Sequence, residues 1–147
     1  MNIRWISGRD RGDPAYSVWL DLRQRVLRDP LGLRYTAADL EAEREDRQLL
    51  VFENEIVIAG LLVRTYESPD GIWKIRQVAV EPDRQRQGIW RTLMEKAAAL
   101  AREEGIRELV LHSREAVCEF YQKLGFVSEG EAFSEVGIPH RRMRLFL

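Results

Sequence analysis

Cysteine occurs once in the 147 residues, as Cys118. One thiol cannot close an internal disulfide, so the fold must rest on packing and hydrogen bonds, and a reducing cytoplasm suits it. Net charge is also nearly absent: 23 Lys and Arg stand against 24 Asp and Glu, a formal -1. A domain that holds nucleic acid through phosphate contacts would need a basic excess, and no run of like charge here is long enough to form a tail. The longest apolar run, IVIAGLLV, falls far short of the ~20 residues that span a bilayer. The opening MNIRWISGRDRGDP has no apolar signal core. His112 and His140 are the only histidines, and no Cys/His cluster has the spacing of a metal site. Internal repeats, low-complexity segments and linkers are missing as well. The expectation is one cytoplasmic domain, residues 1–147, long enough to bury roughly 68–70% of its unfolded surface, with no metal, no nucleic acid and no membrane.

What is there is a clear alternation of periods. NIRWI alternates as a strand does. Asp13 and Pro14 have the form of an N-cap and a first helical residue, opening a helix whose stripe is Val18, Leu22, Val26 and Leu27. Thr36 and Asp39 have capping-box spacing ahead of ADLEAEREDR. QLLVFE and IVIAGLLVRTYE read as strands joined at Asn54-Glu55, and SPDG turns the chain into IWKIRQVAV. From Gly88 the stripe Ile89, Leu93, Ala97 and Leu100, with Met94 and Ala101 beside it, marks a long helix ending at Gly105. RELVLH, REAVCEFYQKL, a stop at Gly125 and a closing hairpin through EVGIPH follow. The predicted order is β α α β β β α β α β β, an α/β (α+β) domain with a mixed sheet and helices on its faces.

Gln85 to Trp90, QRQGIW, joins a strand to the best helix in the chain. Such a junction gathers free backbone N–H groups at the positive end of a helix dipole, which is an anion site. Glycine lets the backbone approach closely and adopt positive φ. Only Gly88 supplies it here, with Arg84, Arg86 and Arg91 around it. The same hexapeptide also reads as a plain connection. There is no G-x-x-x-x-G-K-[ST], so a nucleotide P-loop is unsupported.

VAVEPDRQRQGIWRTLMEKA, followed by LVLHSREAVCEFYQKLGF, resembles the GNAT superfamily of acyl-CoA-dependent N-acyltransferases. The family motif is Gln/Arg-x-x-Gly-x-Gly/Ala after a valine-rich strand end, with FY..LGF about thirty residues later. The tail EGEAFSEVGIPHRRM looks like a bacterial branch. Gln85 and Gly88 match. Trp90 stands where the motif ends in Gly or Ala, Arg86 where Gly is frequent, and Ala116 where many relatives have Asn.

The resemblance implies a mostly antiparallel sheet and direct transfer of an acetyl group from acetyl-CoA to a primary amine. It implies cofactor contacts from Val78, Val80, Gln85, Arg86, Gln87, Gly88, Ile89, Trp90 and Arg91, the Trp90 ring being expected to turn into the core beside Met94. Tyr121 would return a proton to the leaving sulfur, since a phenol of pKa near 10 is protonated at neutral pH. The general base is open: Lys74, Arg76 and Gln77 occupy the strand where some relatives have a carboxylate, leaving Glu81, Glu131, Glu135 and His140. The first two helices and RDPLGLRYT would wall the acceptor site. The acceptor ranges from small amines to a protein N-terminus or lysine, and the resemblance also admits a homodimer. The rival reading is a non-catalytic acyl-CoA-binding or regulatory module with the same fold.

Overall fold

The computed structural model describes residues 1–66, 69–85 and 88–147. Seven strands, β1 (Asn2–Ser7), β2 (Arg47–Glu53), β3 (Ile56–Arg64), β4 (Ile72–Val80), β5 (Glu108–Arg114), β6 (Val127–Glu135) and β7 (Ile138–Phe146), form one sheet in the order β1-β2-β3-β4-β5-β7-β6. Among the described residues, only β4 and β5 run parallel. Helices α1 (Pro14–Arg23), α2 (Ala37–Ala42), α3 (Ile89–Glu103) and α4 (Cys118–Gln122) complete the predicted order.

β2 and β3 read as unbroken apolar runs because helices cover both faces of the sheet. Along β2, Leu49 and Val51 join the core under α3 and α4, while Leu50 and Phe52 join the core under α1. Alternate side chains of a strand point to opposite faces, so both cores draw on the same segment. Asn54 and Glu55 turn the β2–β3 hairpin at φ +51° and +65°, the sign that a type I′ turn requires.

Helix α1 departs from its expected stripe. Val18 is exposed, and the buried face is Ala15, Tyr16, Trp19, Leu22 and Arg23. Two aromatic rings bury far more area than one valine, and they set the helix rotation. Asp13 caps the helix as expected, accepting from the Ala15 N–H at 2.9 Å. Beyond Arg23 the chain continues as a π-helical turn, Gln24–Arg28. Helix α2 has the capping box of Thr36 and Asp39 but ends at Ala42, short of the expected span. Glu43 and Asp46 fold inward instead, Glu43 onto buried Arg23 at 2.9 and 2.5 Å and Asp46 onto Arg64 at 2.9 Å. Among the described residues, no helix is long and apolar enough to cross a membrane.

Candidate active site

The sheet is split where β4 passes β5. Their parallel ladder runs from Ile72↔Glu108 only to Lys74↔Val110. Three residues on, β4 carries a bulge: Leu62 pairs with Arg76 and Gly60 with Ala79, leaving one extra residue on β4, and Gln77 sits at φ +53°. A bulge bends its strand and raises the local twist. Tyr35 Oη donates to Gln77 Oε1 at 2.5 Å and ties the bulge to the segment before α2. Between the diverging strands lies a cleft of about 640 Å³, walled by β4 from Lys74 to Val80, by β5 from Leu111 to Arg114, and by Val26, Leu27 and Arg28 of the π-helical turn.

At one end of the cleft α3 begins. Gly88 is its N-cap at φ +73°, no side chain among the described residues caps it, and the first ladder bond runs from Thr92 N–H to Gly88 C=O at 3.1 Å. The N–H groups of Ile89, Trp90 and Arg91 therefore precede the ladder, at the positive end of a helix of 15 residues. Gln85 lines the cleft and donates to the Val80 carbonyl at 3.2 Å, bracing the loop against the strand end. Of the expected arginines, Arg84 is engaged with Glu53 at 2.5 Å and Arg91 is exposed. Arg86 and Gln87 lie outside the described residues.

Ile89 is fully buried, and Trp90 is half-buried, packed against the core cluster that includes Met94. It lines the cleft, edge-on to Tyr121 (ring centroids 5.0 Å, 73°) and to Phe120 (6.0 Å, 72°). Tyr121 lies in the same wall, with Phe126 behind it at 5.7 Å. Burial pushes its phenol above the ordinary value, an effect the Trp90 indole N–H partly offsets. Tyr121 is thus held as the protonated acid, the form that can donate.

Also in the cleft wall, three strands meet in a polar cluster. His112 of β5 has Nδ1 3.0 Å from Glu135 Oε1 of β6, and the other Glu135 oxygen is 3.6 Å from His140 Nε2 of β7. His140 Nδ1 donates to the Ile138 carbonyl at 2.8 Å. Phe133 packs edge-on against His112 at 4.9 Å and stacks on His140 at 6.2 Å. Burial pushes the His112 imidazole below its ordinary value and outweighs the Glu135 hydrogen bond that opposes it, while the charges of Lys74 and Arg142 push the same way as burial. Burial works against the Glu135 carboxylate, but the hydrogen bond from His112 and the positive groups around it hold Glu135 below its ordinary value. Burial, then Arg76, lowers the Lys74 ammonium. The other two carboxylates considered from the sequence lie elsewhere: Glu81 is bound by Arg25 at 2.6 Å, and Glu131 is exposed and outside the cleft wall.

The profile of the acetyltransferase (GNAT) domain matches residues 33–147. The chain belongs to this family. Over 76 residues it is 37% identical to a UPF0039 protein of Schizosaccharomyces pombe, covering 50% of this chain and 51% of that one. The chain spans about half the length of the curated relatives it matches. An acyl-CoA N-acyltransferase from Pseudomonas aeruginosa superposes with a TM-score of 0.84 at 22% identity, covering 98% of each chain. An aminoglycoside 6'-N-acetyltransferase complexed with coenzyme A superposes at 0.78 and 16% identity, covering 99% of this chain and 97% of that one. At such identities the likeness shows the shared GNAT fold.

Against the GNAT motif, Gly88 keeps the glycine that the start of α3 requires, and Trp90 replaces an open backbone position with an aromatic wall. In the sequence, Glu135 and His140 stand as separate candidates and His112 only as half of a missing metal cluster. The signal that joins them is strand parity across the closing hairpin, with His112 opposite Arg142, and His140 opposite both Arg114 and Phe133. That register could not be assigned before the strand ends were known.

Proposed function

We propose that this GNAT protein is an acetyl-CoA-dependent N-acetyltransferase that passes the acetyl group directly to a primary amine in the reducing cytoplasm. The observation that carries the reading is one continuous cleft that runs from the uncapped N-terminus of α3, between the parted strands β4 and β5, past Tyr121. The described residues fit the cosubstrate. A Cβ built on Gly88 would have nothing within 4 Å, so the backbone there stands in open space beside three N–H donors. When bound, acetyl-CoA supplies an acyl thioester, and its pyrophosphate is an anion suited to a helix N-terminus. Among the described residues, the cleft edge of β4 has no strand partner past Lys74, which leaves backbone amides near Val78 and Val80 for the pantetheine arm and the thioester carbonyl. The coenzyme A complex of the aminoglycoside enzyme, alike in fold, supports the same choice of cosubstrate.

Tyr121 is the acid in this reading. Buried beside Trp90, its phenol stays protonated and gives its proton to the departing sulfur. Tyr121→Phe keeps the ring contacts and removes the proton. Turnover in a thiol-release assay over a panel of primary amines should fall roughly 10²-fold or more while calorimetric acetyl-CoA affinity stays within about twofold. Unchanged turnover would remove Tyr121 from the chemistry. Acetyl-CoA binding without release of thiol or formation of an acetylated amine would favour the non-catalytic module.

A further inference from the structure

We propose that His112 is the general base of this transfer and that Glu135 is its positioning residue. The inference rests on the transferase reading above and adds the group that frees the amine for attack. His112 lies on β5 just past the last β4 pairing, so its side chain lines the cleft in which Tyr121 also stands. A hydrogen bond of 3.0 Å from Nδ1 to Glu135 places the Nδ1 proton on the carboxylate side. Nε2 is then left as the basic lone pair. Phe133 packs against one side of the ring and restricts its rotation.

The neighbours argue for His112 over the alternatives. His140 gives its Nδ1 proton to the Ile138 carbonyl, its Nε2 stands 3.6 Å from Glu135, beyond hydrogen-bond reach, and its side chain is more deeply buried than that of His112. Glu135 is engaged by His112 and His140. Lys74 faces the same space from β4, and Arg142 of β7, paired across the ladder with His112 and bound to Glu129, adds its charge from outside the cleft wall. Their charges and the burial of the ring disfavour an imidazolium, so His112 is neutral near pH 7 and able to accept.

The step balances as follows. His112 Nε2 takes one proton from the substrate ammonium and later releases it to solvent. The neutral amine attacks the thioester carbonyl, the C–N bond forms and the C–S bond breaks. Tyr121 protonates the thiolate and regains a proton from the amide nitrogen through solvent. The products are an N-acetyl amide, free thiol and one proton.

The test uses the full chain with acetyl-CoA and three probe amines: benzylamine, alanine amide and a lysine-containing peptide. His112→Gln should lower turnover of the best probe by roughly 10²-fold or more with acetyl-CoA affinity unchanged. Glu135→Gln removes the partner that raises the imidazole, so the acidic limb of kcat against pH should move to lower pH, which loss of packing alone would not cause. Independently of turnover, nitrogen-detected NMR of the two histidines should find His112 with Nδ1 protonated and Nε2 bare at pH 7. Normal kcat in His112→Gln, an unmoved acidic limb in Glu135→Gln, or a protonated Nε2 at pH 7 would each overturn the proposal. So would a kcat that survives in His112→Gln and collapses in Lys74→Met. Failure of the wild-type protein to bind acetyl-CoA would sink the transferase reading itself.

Discussion

Trp90 stands edge-on to two aromatic rings of α4, so the cleft at the start of α3 has an aromatic wall where the family motif would leave Gly or Ala. The substitution changes side-chain chemistry without removing the helix-terminal N–H groups, because the Trp90 amide still precedes the first ladder bond. Trp90→Ala restores the motif. It should cost about 1–3 kcal/mol from the two lost ring contacts alone, read by urea denaturation. Acetyl-CoA affinity should hold or rise. A tenfold loss of affinity in a variant that still folds would mean that the indole itself holds the cosubstrate.

Helix α1 and the turn after α2 are joined by a charge pair with almost no access to water. Arg23 is fully buried, donates twice to Glu43, and lies over the rings of Trp19 at 5.7 Å and Tyr35 at 4.5 Å. Tyr35 in turn anchors the β4 bulge through Gln77, so this pair supports the side of the cleft formed by the π-helical turn. Removing one partner leaves the other charge buried and unpaired. Arg23→Met should therefore destabilise by about 3–5 kcal/mol, with much of the loss recovered in the double variant Arg23→Met, Glu43→Leu. Denaturant midpoints of the single and double variants check this, and an additive double variant would contradict it. These elements also show where sequence reading stops. The capping box at Thr36 and the N-cap at Asp13 are local signals, and the helices begin where those residues stand. The rotation of α1 and the early end of α2 come from contacts with residues 20 or more positions away, such as Arg23 with Glu43 and Trp19 with Gln48, which periodicity does not carry.

Over the whole molecule, a sheet covered on both faces is held together along β2 and β3 and opened along β4 and β5. The order of all seven strands and four helices was legible, because each element carries its own period and its own stops. So were the α3 junction and Tyr121, which lie in two continuous motifs. The His112, Glu135 and His140 cluster was not, since it exists only when β5, β7 and β6 are set side by side in register. The split that makes the cleft was hidden as well: IWKIRQVAV reads as a regular strand, and nothing in its residue types announces a bulge at Gln77. In the proposed function, this split, capped by the N-terminus of α3, receives acetyl-CoA. Calorimetric titration of the wild-type protein and of Gly88→Asp with acetyl-CoA tests it most directly. Aspartate tolerates the left-handed backbone and caps helices well, so the variant should fold, while its carboxylate opposes the pyrophosphate. Saturable binding to the wild-type protein is expected, weakened at least ~10-fold, or about 1.4 kcal/mol, in the variant. No binding to the wild-type protein, or equal binding to both, would contradict it.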